Sequence, residues 1–314
     1  MEKLIISTSP HLRSKDTTQR IMLDVLIALT PAAVMAVVLF GLRALLLIGV
    51  CLVSAVGSEF LFNLATGKKQ TVMDLSAAVT GLLLALNLPT TAAVWHCIVG
   101  SVFAIVVVKC LFGGIGCNFA NPAITARVLL LVSFSGSIAG GVSPNLVDEG
   151  LVASATPLSA MKAGASVSEL PSLLDMLLGL RAGAMGEVCA IALIIGGAYL
   201  LIRRVISWHA PVGFILTVFL LSLILKGDFT LALYQVLGGG LIISAFFMAT
   251  DYSTTPLNKL GKLVFGIGCG LITVLIRTYG SYPEGVSFAI LFMNILSPYI
   301  EKLCARRPFG GAKA

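Results

Sequence analysis

Charge is scarce in this chain: Asp, Glu, Lys and Arg make up 11% of its 314 residues, against 58% apolar types. Soluble domains carry roughly 25% charged and about 45–50% apolar residues, so a water-soluble fold would lack the polar side chains to cover so much apolar surface. Histidine is down to three residues, His11, His96 and His209. They are scattered, and no motif joins them into a metal site or a catalytic triad. The seven cysteines form no Cys-x-x-Cys pair. Most sit inside apolar runs, where a free cysteine acts as a small hydrophobe, and their spacing argues against a metal or iron–sulfur role. The glycine turn FGGIGCNFANP (112–122) lacks the Gly-Lys-Ser/Thr of a phosphate loop, and Lys109 precedes its glycines. It reads instead as Asn121 capping a helix with Pro122 in first position. The first twenty residues are polar and basic before any apolar run begins, so no cleavable signal is expected.

What is abundant is long apolar sequence. About 20 residues carry a helix across the hydrocarbon core. On that rule, spans fall near 21–41, 44–64, 75–88, 93–111, 120–138, 186–202, 210–226, 232–249, 261–277 and 285–303. The third is too short to cross alone as a regular helix. The expected fold class is therefore an all-α integral membrane protein of about ten transmembrane helices. With the N-terminus inside the cell, 15 of the 21 Lys and Arg residues fall on the inner side, Lys68, Lys69, Arg203 and Arg204 among them. That bias is the one cytoplasmic loops show. The basic excess is thus topological, no nucleic-acid partner is expected, and both termini are placed in the cytoplasm.

The two halves echo each other in pattern. TGLLLALNLPTTAAV (80–94) and ISAFFMATDYSTTPLNKLGKL (243–263) each run from a small-residue helix into a polar Thr/Pro break. FGGIGCNFANPAITA (112–126) and RTYGSYPEGVSFAI (277–290) each open a last helix from a Gly/Pro turn. The partners lie five spans apart, so the copies are inverted across the membrane, and paired interruptions of this kind often mark a cavity near the midplane. The expected organisation is two inverted five-helix repeats with broken helices, residues 1–138 and 186–314. An extracytoplasmic loop, 139–185, lies between them. Loops of that length are usually functional or disordered.

Within that loop, GLVASATPLSA (150–160) leaves one hydroxyl, Thr156, standing clear before Pro157. The residue before a proline is pushed toward extended backbone, and proline suits the first helical position. Thr156 is therefore expected to cap a short helix, a role worth about 1 kcal/mol. The small residues around it also leave room for a modifying enzyme to reach the hydroxyl. Several charges lie in or near spans, where they are costly and usually face a cavity or a partner. Asp24, Glu187 and Glu284 are expected at the interface near helix starts, where acids suit the dipole. Glu59, inside the second span, and Asp251, at the break of the eighth, are expected to be functional.

The segments VTGLLLALNLP, FGGIGCNFANPA, SATPL, GAMGE, AFFMATDYSTTP and YPEGVSFAILFMN occur in this order, and the chain resembles the RnfD family of the Rnf electron transport complexes from about residue 4 to 303. That family has a relative in the sodium-pumping NADH:quinone reductase, and the relative typically carries a longer N-terminal region than this chain. The resemblance implies a flavin-carrying membrane subunit of an ion-translocating ferredoxin:NAD+ oxidoreductase. It implies FMN bound covalently, through a phosphoester to a threonine on the extracytoplasmic side, and the matching residue is Thr156. It further implies a flavin transferase for maturation, other Rnf subunits as partners, a neighbouring flavin-carrying subunit among them, and a second, noncovalent flavin such as riboflavin. Glu59 and Asp251 then become candidates for the Na+ or H+ pathway, for a subunit contact, or for that second flavin. The flavinylation pattern of the family, Asp-x-x-Ser/Thr-Gly-Ala-Thr, survives here only in its final Ala155-Thr156. Inverted halves with broken helices also suit a stand-alone solute transporter or channel. The SATPL segment has no obvious use there, which favours the redox reading.

Overall fold

The computed structural model describes residues 17–144, 153–165 and 169–305. The loop acids Asp148 and Glu149 lie outside the described residues. Helix α1 (Thr18–Phe40) opens with Thr17 accepting a hydrogen bond from the Arg20 amide, and Gly41, at φ 74°, turns the chain into α2 (Leu42–Ala65). After a 3-10 turn at Val72–Asp74 come α3 (Ser76–Leu86) and α4 (Val94–Val102), the latter continuing as a π-helix over Phe103–Cys110. Helix α5 (Pro122–Ser133) starts as expected: the Asn121 side chain accepts from the Ala123 and Ile124 amides, with Pro122 first in the helix. A short α6 (Ser135–Ile138) leads into a two-stranded ribbon, β1 (Gly141–Val142) antiparallel to β2 (Ala153–Ser154), with Gly141 opposite Ser154. Two short helices follow, α7 (Pro157–Lys162) and α8 (Leu173–Leu178). The later helices are α9 (Ala190–Ile202), α10 (His209–Lys226), α11 (Phe229–Leu237), α12 (Leu241–Ile243), α13 (Lys259–Tyr279) and α14 (Val286–Cys304). A π-helical stretch, Ser244–Met248, continues α12.

The all-α membrane class holds. Among the described residues, α1, α2, α10, α13 and α14 are long and apolar enough to cross a membrane. Apolar side chains such as Val38, Val53, Leu61 and Ile224 point outward from them, as lipid rather than water would favour. The other expected spans differ from full crossings. Four are shorter apolar helices, α3, α4 with its continuation, α5 and α9. The expected eighth span is a pair, α11 with α12 and its continuation, bent by 63°. Its break falls on Gly238-Gly239-Gly240, with Gly239 at φ 64°, a left-handed backbone that glycine adopts without a steric penalty.

Neighbour relations recur between the halves. Helix α2 packs on α3 and α4, as α10 packs on α11 and α13, while α1 meets α9 and α5 meets α14. The α1–α9 contact is backbone-close: a Cβ added at Gly196 would collide with the Ala28 carbonyl oxygen. Small residues at such crossings are how membrane helices approach one another. At the α3–α4 break, Arg43 donates to the carbonyls of Thr90 (2.7 Å) and Ala92 (3.3 Å), satisfying acceptors of buried connector residues.

Candidate functional site

Thr156 caps α7, with extended backbone at φ −68°, ψ 151°. Its Oγ1 accepts from the Ser159 amide (3.2 Å) and donates to Ser159 Oγ (3.1 Å), while Ser159 Oγ donates back to the Thr156 carbonyl (2.7 Å). The hydroxyl does not stand clear on a surface, because Thr156 is only 7% exposed. The ribbon covers it: a Cβ on Gly141 would lie 2.6 Å from Thr156 Cγ2. The small residues here therefore serve close packing as well as access. What Thr156 faces is a cavity of ≈ 40 Å³, whose wall it shares with Asn87, Arg127 and Glu284. That is room for roughly three waters, enough for a phosphate-sized group but not for a flavin ring. Among largely apolar walls, Arg127 and Asn87 are the groups that could hold a phosphate here, with the Glu284 carboxylate beside them.

Beneath Thr156 lies a network of charges drawn from both halves. Arg127, in α5, donates to Asn87 Oδ1 (2.7 Å) and to Glu284 Oε2 (2.5 Å), and lies 3.9 Å from Glu187 Oε2. Arg181 donates to the carbonyls of Glu187 (2.7 Å) and Val188 (3.4 Å). Arg277, in α13, binds the Glu284 carbonyl (2.9 Å), the Gly238 carbonyl (3.3 Å) and both oxygens of Gln235. Glu187 accepts from the Ala184 amide (3.0 Å) through Oε1, and its buried Oε2 has no hydrogen-bond partner. Gly240, at the break in the α11–α12 pair, admits this cluster, since a Cβ there would meet Arg127 Nη1 at 3.2 Å. Glu187 and Glu284, expected near helix starts, have protein partners there. Both precede helix starts, yet Glu187 is buried and Glu284 is tied inward to Arg127. Asp24 also has a partner, bonding Arg203 (3.1 Å) and Tyr199 (3.0 Å) across the α1–α9 contact.

Asp251 lines a separate cavity, and Glu59 reaches its wall only through Lys109. Glu59, buried in α2, forms an ion pair with Lys109 (2.9 Å) and accepts from Thr71 Oγ1 (2.7 Å), while its Oε2 has no hydrogen-bond partner. Lys109 also donates to Ser76 Oγ (2.6 Å). Lys109 and Ser76 then share the wall of a ≈ 90 Å³ cavity with Asn121 and Asp251. Asp251 follows the π-helical end of the bent pair and accepts from Ser253 Oγ (3.2 Å) and Thr254 Oγ1 (3.1 Å). It also lines an adjoining cleft of ≈ 540 Å³ with Asn118, Asn294 and Glu301. Helix α14 separates the two sites. Gly285 and Ser287, at its start, border the Thr156 cavity, whereas Ser297 and Glu301 border the cleft. At 1.5 Å per residue the two borders lie about 15 Å apart along that helix.

The sequence singles out Thr156, Glu59 and Asp251 but not the residues that surround them. Lys109, noted in the sequence only as preceding the glycine turn, is buried against Glu59, and Arg127 lies in the wall of the Thr156 cavity. A signal was present: a basic residue inside an apolar run needs a partner at depth, and both stand within expected spans.

The sequence model of the NQR2, RnfD, RnfE family matches residues 5–310. Similar proteins include the D subunit of the Na(+)-translocating ferredoxin:NAD(+) oxidoreductase complex of Acetobacterium woodii, 46% identical over 312 residues, covering 99% of this chain and 96% of that one. The D subunit of the proton-translocating ferredoxin:NAD(+) oxidoreductase complex of Clostridium ljungdahlii is 38% identical over 323 residues, covering 97% and 96%. The D subunit of the ion-translocating oxidoreductase complex of Escherichia coli O7:K1 is 35% identical over 349 residues, covering 98% and 99%.

Proposed function

The chain belongs to the NQR2, RnfD, RnfE family, and from that premise we propose that it is the flavin-carrying D subunit of an ion-translocating ferredoxin:NAD+ oxidoreductase. It sits in the cell (inner) membrane with the other Rnf subunits, both termini in the cytoplasm and Thr156 outside, in two inverted five-helix repeats. The observation that carries the reading is the near end-to-end match to relatives bearing that subunit's name. Those relatives are named for different ions, Na+ and H+, and either suits a redox-driven translocase.

Thr156 is the attachment residue for FMN after a flavin transferase has acted. Its Oγ1 gives up its proton and bonds the flavin-side phosphorus of a flavin dinucleotide, whose pyrophosphate bond breaks to release AMP and leave FMN on the threonine, next to the cavity that Thr156 lines. The FMN supplies the redox chemistry, and the protein supplies position. Holding the flavin on a tether raises its effective concentration at a neighbouring flavin subunit. The chain's own part is to keep the ester seated while the ring stays available outside the cavity.

At the other site, the ≈ 540 Å³ cleft falls in the size range of small-molecule pockets, about 300–1,000 Å³. It suits a noncovalent flavin such as riboflavin, with Asp251 in its wall. Lys109 and Asp251 border the inner cavity adjoining that cleft, Glu59 is paired with Lys109 behind its wall, and the three form the start of the ion pathway. The paired breaks, 87–91 and 250–256, are the elements that move when ions pass. The test is in-gel flavin fluorescence of membranes expressing the complex with the flavin transferase. A fluorescent band at this subunit's mass that disappears in Thr156→Val supports the reading, and a band that persists in Thr156→Val removes it.

A further inference from the structure

Five charged side chains converge beneath Thr156, and they do not balance. Arg127, Arg181 and Arg277 are cationic, Glu187 and Glu284 anionic, and only Glu284 keeps appreciable exposure, 25% of its side chain. Lys162, exposed on α7, adds a further cation nearby by donating to the Tyr282 carbonyl (3.4 Å). Among the described residues, the buried cluster therefore carries one surplus positive charge. A charge so far from water is costly unless it is paired.

We propose that this surplus is the seat for the phosphate of the flavin esterified to Thr156, and that Arg127 is the residue that grips it. The inference rests on the Thr156 reading above. A phosphate diester carries one negative charge, which brings the cluster to neutrality. Arg127 is singled out by its position and its partners. It shares the cavity wall with Thr156, whereas the hydrogen bonds of Arg181 go to the carbonyls of residues 187 and 188. Arg277 is held by Gln235, Gly238 and the Glu284 carbonyl. The Nη2 of Arg127 faces Glu284, the most exposed member of the cluster, which sits in the segment leading into α14. A carboxylate in that place shows that this face of Arg127 takes an anionic oxygen, and the planar guanidinium fork can hold the phosphate beside it.

The unpartnered Oε2 of Glu187 also invites a cation. A metal ion there would lie beside Arg127, 3.9 Å from the same oxygen, and would add to the surplus charge. The cluster is therefore built for an anion.

The test measures the thermal unfolding of this subunit within the purified complex, prepared with and without the flavin transferase. Peptide mass spectrometry reports in parallel whether Thr156 carries FMN. In the wild type, attachment raises the unfolding temperature. In Arg127→Gln that rise disappears although FMN remains on Thr156, Arg127→Lys keeps part of it, and Glu284→Gln enlarges it. A merely structural Arg127 lowers both preparations alike and leaves the rise intact, as double-mutant logic requires; that result overturns the proposal. If the wild-type peptide carries no FMN, the Thr156 reading and this inference fall together. If it carries FMN and the rise survives in both Arg127 variants, the Arg127 assignment alone falls.

Discussion

At the scale of single residues, the chemistry sits where local sequence and distant partners meet. The cap at Thr156 is legible from Thr-Pro alone, because proline fixes the first helical position and the hydroxyl reaches the amide three residues on. The pair Glu59–Lys109 is separated by 50 residues, and only the packing of α2 beside the π-helical continuation of α4 brings it together. Breaking a buried pair by removing one partner typically costs about 3–5 kcal/mol. Glu59→Gln is accordingly expected to lower both the yield of folded subunit and ion-coupled turnover. The double replacement Glu59→Gln with Lys109→Met removes the stranded cation. It should recover much of the yield while ion pumping, measured in vesicles, stays impaired; recovery of both would deny Glu59 a role in the pathway. Asp251→Asn keeps the shape of its site and should reduce pumping while Thr156 remains flavinylated. Unchanged pumping in Asp251→Asn would remove that residue from the route.

Secondary-structure elements show a similar split between what is local and what is not. Asn121 before Pro122 announces α5 in the sequence, and the structure places the cap there. Asn121→Ala should cost about 1 kcal/mol, seen as a lower unfolding temperature of the solubilised subunit. The breaks after α3 and after the π-helical stretch are also legible, from their Thr/Pro content. The break inside the expected eighth span is not. Three consecutive glycines there sit in an apolar run that hydropathy alone reads as one helix, and the bend becomes visible only with Arg127 and Glu187 against Gly240. Likewise Gly196 looks like any small residue in α9 until Ala28 is placed against it. Gly196→Val puts side-chain carbon where the Ala28 carbonyl stands. It is expected to push α1 from α9, cutting the amount of folded chain recovered from membranes. Wild-type recovery from Gly196→Val would mean that the two helices do not meet as described.

Across the whole molecule, low charge and long apolar runs settle the class, since no water-soluble arrangement hides so much apolar surface. The sites are harder to read, because each is assembled from both halves. The Thr156 cavity takes walls from the end of α3, from α5 and from the start of α14. The cleft takes its walls from the start of α1, the glycine turn, the Asp251 segment and the end of α14. One chain thus offers a small cavity at one end of α14 and a wider cleft toward the other. The most direct measurement is the mass of the proteolytic peptide containing Thr156, from complex produced with a flavin transferase. The expected result is the added mass of FMN on Thr156 itself. An unmodified Thr156 in fully active complex, or FMN on any other residue of this chain, would contradict it.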